Sequence, residues 1–274
     1  MLIAHISDLH IKSPGRKAYG LVDTARALER TIETLNTRRP RADLLLISGD
    51  LVDSGREDEY RQLKALLARL DIPCYLAIGN HDDRATLRTV FGKPHPTGDS
   101  EFFQYRQSLG ELELIVLDTS HPPASNGHLC ASRLNWLASA LEQTRAHPVL
   151  IMMHHPPFAS GIGHMDALRL DEASTHALAQ LISGYPNVER ILCGHLHRHS
   201  LTRFAGSIVQ SCPSTAHQVV LDLSADAASA FTLEPPSYLL HHWHPDSGLV
   251  SHHALVDSYP GPYPFFDETG RLIE

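Results

Sequence analysis

Five short strand-like runs in this chain end in the same way, in carboxylate, amide or imidazole side chains. Leu44–Ile47 is apolar without alternation and passes through Ser48-Gly49 to Asp50. Leu2–Ser7 ends in Asp8-Leu9-His10, Cys74–Ile78 in Gly79-Asn80-His81-Asp82, Val149–Met153 in His154-His155-Pro156, and Arg190–Cys193 in Gly194-His195-Leu196-His197. A short continuous apolar run bounded by turn residues reads as a parallel strand covered on both faces. In open α/β sheets, ligands gather at the carboxyl ends of such strands. The chain is therefore constrained to a layered α/β fold with its chemistry along one edge.

The intervening segments support that reading. Ala25, Leu28, Ile32 and Leu35 recur at helical steps, so Thr24–Asn36 is expected to be a helix. Further helices are expected at Glu57–Leu70, Asp83–Phe91, Leu134–Thr144 and Asp171–Ser183, and further strands at Glu111–Leu117, Ser207–Gln210 and Gln218–Leu223. Gly92–Ser100 reads as a loop. Tyr238–His244 and Leu249–Val256 flank Pro245-Asp246-Ser247-Gly248, a hairpin signal. We divide the chain into a catalytic domain, 1–200, and a segment, 201–274, holding the final core strands and a C-terminal cap that serves oligomer contacts.

Composition narrows the partners. The 274 residues carry 31 acids against 23 bases, net −8, which disfavours a nucleic-acid polymer or an anionic membrane as partner. There are 20 histidines, and histidines beside strand-end aspartates suggest divalent metals. Cys74, Cys130, Cys193 and Cys212 show no Cys-x-x-Cys spacing and are expected to be reduced thiols. The first residues carry no signal-peptide pattern and no transmembrane run is present, so a cytoplasmic location is expected.

The candidate ligands are Asp8, His10, Asp50, Asn80, His154, His195 and His197. Carboxylate, imidazole and amide donors suit two divalent ions such as Fe, Mn or Zn, with Co a workable substitute in vitro. A close metal pair needs a bridging anion, and Asp50 is placed to supply it. One ion would take Asp8, His10, Asp50 and His197, and the other Asp50, Asn80, His154 and His195. Asp8 and His10 are two residues apart, as are His195 and His197, so an extended chain would point each pair the same way. His81 and Asp82 are candidate catalytic residues, the carboxylate orienting the imidazole for contact with substrate or proton donation. The tail histidines 241, 242, 244, 252 and 253 read as a hairpin face or subunit contact.

Taken together and in order, these motifs resemble those of the calcineurin-like metallophosphoesterase superfamily. A longer likeness, to bacterial class III phosphodiesterases and most closely their glycerophosphodiesterase branch, rests on Tyr19-Gly20, His155-Pro156-Pro157, Thr215-Ala216-His217-Gln218-Val219 and Gly261-Pro262. The resemblance implies a four-layer α/β/β/α sandwich with a small C-terminal hairpin cap. It also implies hydrolysis of small phosphodiesters by in-line attack of a metal-activated hydroxide, with 3',5'-cyclic nucleotides as the alternative substrates. Tyr19, His81, His155 and His217 are candidate substrate contacts, while His155 could instead brace the site. Purple acid phosphatases carry Tyr three residues after the bridging Asp, where this chain has Asp53, so no iron–tyrosinate centre is expected. Tyr238, Trp243, Tyr259, Tyr263, Phe265 and Phe266 crowd a tail too short for its own core, which predicts a homo-oligomer.

Overall fold

The computed structural model describes residues 1–92 and 101–273, so most of the loop expected at 92–100 lies outside the described residues. The first sheet is built from the motif strands. Strands β1 (Leu2–Ile6), β2 (Leu44–Ser48) and β3 (Cys74–Ala77) lie parallel, in that order. Helices α1 (Thr24–Thr37) and α2 (Glu57–Leu67) make the returns, and α3 (Arg84–Phe91) follows β3. The side chains of Asp23 and Asp83 accept the Arg26 and Thr86 amides at 3.0 and 2.8 Å, satisfying donors that a helix start leaves open.

The second sheet holds six strands. β4 (Tyr105–Ser108), β5 (Glu113–Val116), β6 (Val149–Met152) and β7 (Val188–Cys193) are followed across the sheet by β9 (Ser207–Ser211) and then β8 (Ser200–Phe204). Helices α4 (Ala131–Gln143) and α6 (Glu172–Ile182) cover its outer face, and α5 (Gly163–Asp166) is a single turn. A two-stranded ribbon pairs β10 (Gln218–Val219) with β11 (Phe231–Thr232).

Alternation along the strands separates the layers. In β5 and β6, Leu114, Val116, Leu150 and Met152 join the core of the first sheet and α1 to α3. Their neighbours Ile115, Val149 and Ile151 pack instead with Leu137, Leu141, Leu178 and Ile182 of α4 and α6. The four-layer sandwich follows from two sheets that are apolar on both faces.

Two further strands complete the first sheet. β12 (Ser237–His244) and β13 (Gly248–Leu255) form the expected hairpin, and β12 pairs antiparallel with β1, Leu2 facing His242 and His5 facing Leu239. The hairpin thus extends the sheet beyond β1, and its turn lies at the Met1 end, away from Asp8. Tyr238 and Trp243 are buried by this pairing, whereas Tyr259, Tyr263, Phe265 and Phe266 stay 53–79% exposed.

A polar seam joins the sheets. His5 Nε2 meets Ser48 Oγ at 2.8 Å, and His5 Nδ1 meets His241 Nε2 at 3.3 Å. His241 Nδ1 reaches Ser251 Oγ at 2.7 Å, and Arg190 donates to Ser251 Oγ, Gln210 Oε1 and the Leu249 carbonyl. Of the tail histidines only His241 is buried, and it belongs to this seam; the other four are exposed.

Strands β4 and β8 were not expected, because both are edge strands with half-exposed, polar faces and no apolar run. No helix among the described residues is long and apolar enough to cross a membrane, and all four cysteines are free.

Candidate metal centre and substrate cleft

The carboxyl ends of β1, β2, β3, β6 and β7 converge, and the seven ligand candidates stand in the loops just beyond them. The local backbone differs from the extended form expected at Asp-x-His. Asp8, His10, Asp50, His195 and His197 all have φ between 44° and 70°, in the left-handed region. The side chains of each pair still share a site because the intervening Leu9 and Leu196 turn into the core, each 1% exposed. Left-handed geometry costs an L-residue about 1–2 kcal/mol, so five such residues in one site mark a backbone held against its preference by the surrounding fold.

Two glycines are required by close approach. A Cβ on Gly79 would lie 2.1 Å from Asp50 Oδ1 and 2.7 Å from His154 Nε2. One on Gly194 would lie 2.0 Å from Ser7 Oγ. Both motifs need glycine so that loops from different strands can touch.

The donor atoms form two overlapping groups. Asp8 Oδ1 and His197 Nε2 are 3.4 Å apart, His10 Nε2 and His197 Nε2 3.1 Å, and His10 Nε2 and Asp50 Oδ2 3.6 Å. His154 Nε2 lies 3.3 Å from the same Asp50 Oδ2. The His81 amide donates to Asp50 Oδ1 at 3.0 Å, so Oδ2 is the oxygen left facing both groups. Such spacings match the edges of a coordination shell with bonds of about 2.0–2.2 Å. Asn80 Oδ1, His154 Nε2 and His195 Nε2 are enclosed and lack any hydrogen-bond partner. Buried polar atoms are rarely left so, and ligation of a cation is what this donor set fits.

Hydrogen bonds on the far side of the rings fix their tautomers. His154 Nδ1 donates to the Ser48 carbonyl at 2.8 Å, and His197 Nδ1 to the His217 carbonyl at 3.1 Å, which leaves each Nε2 lone pair for a metal. Burial pushes His197 down to about 3, and His10 beside it adds to the effect. Burial and His155 hold His195 well below the usual histidine range. For His154, burial is outweighed by Asp50, which raises the ring to about 9. Asp50 itself is drawn well below the usual carboxylate range by His154 and His81, against burial.

A cleft of about 470 Å³ opens over these groups. His10, Asp50, Asn80, His81, His195 and His197 form its floor, and Tyr19, His217 and Phe231 one wall. Tyr19 stacks on Phe231 at 4.8 Å, and the His217 ring meets both edge-on at 5.3 and 5.4 Å. Ser125, His164, Met165, Leu168 and Ser229 are also in the lining, which among the described residues includes no lysine or arginine.

Residues 1–199 match the calcineurin-like phosphoesterase family. The chain belongs to that family. As a calcineurin-like phosphoesterase it uses a dinuclear divalent metal centre, and the clustered donors provide for one. It is 38% identical over the whole of both chains to the "Probable glycerophosphodiester phosphodiesterase GpdQ" of Arcobacter nitrofigilis. It is 32% identical to the glycerophosphodiester phosphodiesterase GpdQ of Enterobacter lignolyticus, over 98% of this chain and 95% of that one. The 3',5'-cyclic adenosine monophosphate phosphodiesterase CpdA of Pseudomonas aeruginosa is 30% identical, over 94% of this chain and 90% of its own length. A dimetal phosphatase from Danio rerio shares the fold, with a TM-score of 0.63 at 16% identity over 94% of this chain and 99% of that one. The protein is a metal-dependent phosphodiesterase.

Two expectations about this phosphoesterase's site need correction. Asp82 does not orient His81. Its carboxylate turns inward to accept from the Leu51, Val52 and Gly79 amides and the Tyr60 hydroxyl at 2.9–3.4 Å, tying the Asp50 loop to the Asn80 loop. Burial and Asp50 push it up to about 6. The His81 Nδ1–H goes instead to the Asp53 carbonyl at 2.7 Å. His155 does not reach the cleft: it is fully buried, with Nδ1 at 2.8 Å from Thr119 Oγ1 and Nε2 at 3.2 Å from the Ser125 carbonyl. It packs edge-on against His154 at 4.8 Å, as a brace.

Sequence reasoning gave no site role to Asp53, Lys12, Tyr60 or Phe231. Asp53 carried one signal, its fixed distance of three residues after Asp50. Phe231 lies in a short ribbon with no pattern of its own.

Proposed function

We propose that the protein hydrolyses small phosphodiesters of the glycerophosphodiester type, using Asp8, His10, Asp50 and His197 for one ion and Asp50, Asn80, His154 and His195 for the other. The observation that carries this is the cleft of about 470 Å³: a floor of candidate metal donors, walls of aromatic, apolar and polar side chains, and no lysine or arginine among the described residues. Full-length similarity to GpdQ proteins supports the substrate class. Fe, Mn or Zn would suit the donors.

When bound, the metal pair supplies Lewis acidity toward the phosphoryl oxygens and activates the attacking water. The chain does the rest. The Asp53 carbonyl takes His81 Nδ1–H, so Nε2 is the ring atom left free for the substrate, and an Nε2–H can donate to a phosphoryl oxygen or to the leaving alkoxide. His217, pushed down to about 3 by burial and His197, stays neutral and serves as a hydrogen-bonding wall. Tyr19, beside it, contacts the alcohol arm.

A second reading, cyclic nucleotide hydrolysis, is favoured by the Tyr19–Phe231 stack, on which a base can lie. Turnover of glycerophosphoethanolamine and cyclic AMP by metal-loaded enzyme separates the two. The first reading expects the glycerodiester to have the higher kcat/KM, and the reverse order overturns it.

The exposed aromatics of residues 259–266 support a homo-oligomer whose contact includes the segment beyond residue 200, which also carries the final strands of both sheets. We place the protein in the cytoplasm, in keeping with its four free cysteines.

A further inference from the structure

His10 differs from His154 and His197 in what stands behind it. His154 and His197 each donate Nδ1–H to a main-chain carbonyl. His10 Nδ1 is buried without a hydrogen-bond partner, and the carboxylate Oδ1 of Asp53 lies 3.5 Å away. The other carboxylate oxygen, Oδ2, is gripped by the Lys12 ammonium at 2.5 Å and accepts from Ser54 Oγ at 3.3 Å. The main chain fixes the same pair, since Asp53 N donates to the Ile11 carbonyl and Ile11 N to the Leu51 carbonyl, at 3.2 and 3.3 Å. His10, Lys12 and Asp53 are thus brought together by a short parallel bridge between the loops after β1 and β2.

Asp53, His10 and His81 are close enough to suggest a third metal site. The chemistry points elsewhere. The carboxylate already has a counter-cation in Lys12, and His81 Nδ1 is committed to the Asp53 carbonyl. What remains is a carboxylate directed at the back of a ligating imidazole, the arrangement that orients a ring and raises its basicity.

We propose that Asp53, locked by Lys12, is a positioning residue for His10 and sets the affinity of the metal position that His10 serves. This rests on the reading of His10 as a ligand. With Nε2 given to a metal, Nδ1 would carry the ring proton, and Asp53 Oδ1 at 3.5 Å would be the charged acceptor facing it. No main-chain carbonyl does this for His10, so the affinity of one position hangs on a side chain. The effect is expected at that position, because Asp53 Oδ1 faces His10 whereas His154 in the other ligand group is braced by the Ser48 carbonyl.

The experiment is a competitive titration of the full-length protein with Mn(II) or Co(II) against a chromophoric chelator, resolving two affinities, for wild type, Asp53→Ala, Asp53→Asn, Lys12→Met and His10→Ala. Asp53→Ala is expected to weaken one position by about 10–100-fold and leave the other unchanged. Asp53→Asn keeps an oxygen for Nδ1–H and is expected to recover most of that loss. Lys12→Met is expected to weaken the same position by a smaller factor. All the variants keep the Asp53 main-chain carbonyl, so the bond to His81 survives. If Asp53→Ala does not fold, Lys12→Met decides, and wild-type affinity there overturns the proposal. Unchanged affinities in Asp53→Ala, with one position lost in His10→Ala, overturn the positioning role alone. If His10→Ala keeps both affinities, the ligand assignment itself falls.

Discussion

The seam between the sheets makes a quantitative prediction about acid. His5 is fully buried, and burial, with His199 nearby, pushes its imidazole from an ordinary 6.5 down to about 3. The folded protein therefore refuses a proton that the unfolded chain accepts near 6.5. Stability from this group is fully present above pH 6.5 and drains as the pH falls toward 3. At pH 5 the gap is about 1.5 pH units, each worth about 1.4 kcal/mol, so His5 alone removes about 2 kcal/mol relative to pH 7. For a chain of this size that corresponds to about 4–8 °C in melting temperature. The test compares wild type with His5→Gln, both stripped of metal so that ligand protonation is common to the pair, by differential scanning calorimetry at pH 7 and pH 5. The variant loses its bond pattern with Ser48 and His241 and melts lower at pH 7. Its further drop on acidification is expected to be about 4–8 °C smaller than that of wild type. Equal drops, or a larger one in His5→Gln, refute the reasoning.

Gly79→Ala forces a methyl to within 2.1 Å of Asp50 Oδ1, so the Asp50 and Asn80 loops must part. Activity is expected to fall by at least about 100-fold with loss of bound metal, measured by elemental analysis beside turnover. His81→Ala is expected to keep both metals and lower turnover by about 10²–10⁴, with a smaller loss on esters that have an activated leaving group. Asp118→Asn breaks the buried two-pronged pair with Arg84, whose bonds are 2.6 and 2.8 Å, and is expected to cost about 3–5 kcal/mol in urea unfolding. Deletion after Val256 removes Tyr259, Tyr263, Phe265 and Phe266 while leaving β13 whole, and light scattering is expected to show a smaller assembly than the full chain gives.

Most of the site was legible because metal ligation places specific residue types directly after apolar strands. Asp8, Asp50, His154 and His195 each follow a run that ends fully buried, and Asn80 follows an edge strand whose last residues, Leu76 and Ala77, are buried. What the sequence left unread is what depends on loop geometry. Left-handed backbone at Asp8 and His10 has no compositional mark, because the fold and not the residue type imposes it. Asp82 sits beside His81 in sequence yet turns the other way, since a buried carboxylate seeks amide donors before it seeks a neighbour. His155 follows a ligand directly, and one residue of offset in the chain sends it behind the site. Edge strands β4 and β8 lacked an apolar run because water covers one face of each.

The position of β12 bears on the order in which this protein can be made. β1, which leads into Asp8 and His10, lies between β2 at residues 44–48 and β12 at residues 237–244. One flank closes early in synthesis, and the other waits for nearly the whole chain to leave the ribosome. Until then a five-residue apolar strand presents an open edge to any other chain emerging nearby. This pairing joins Leu2 to His242 and His5 to Leu239, nearly the full length of the chain apart, and such a long-range contact is slow by its topology and exposed to misassembly while it is pending. Chaperone dependence and inclusion-body formation on rapid expression would trace to this edge of the strand that leads into Asp8 and His10.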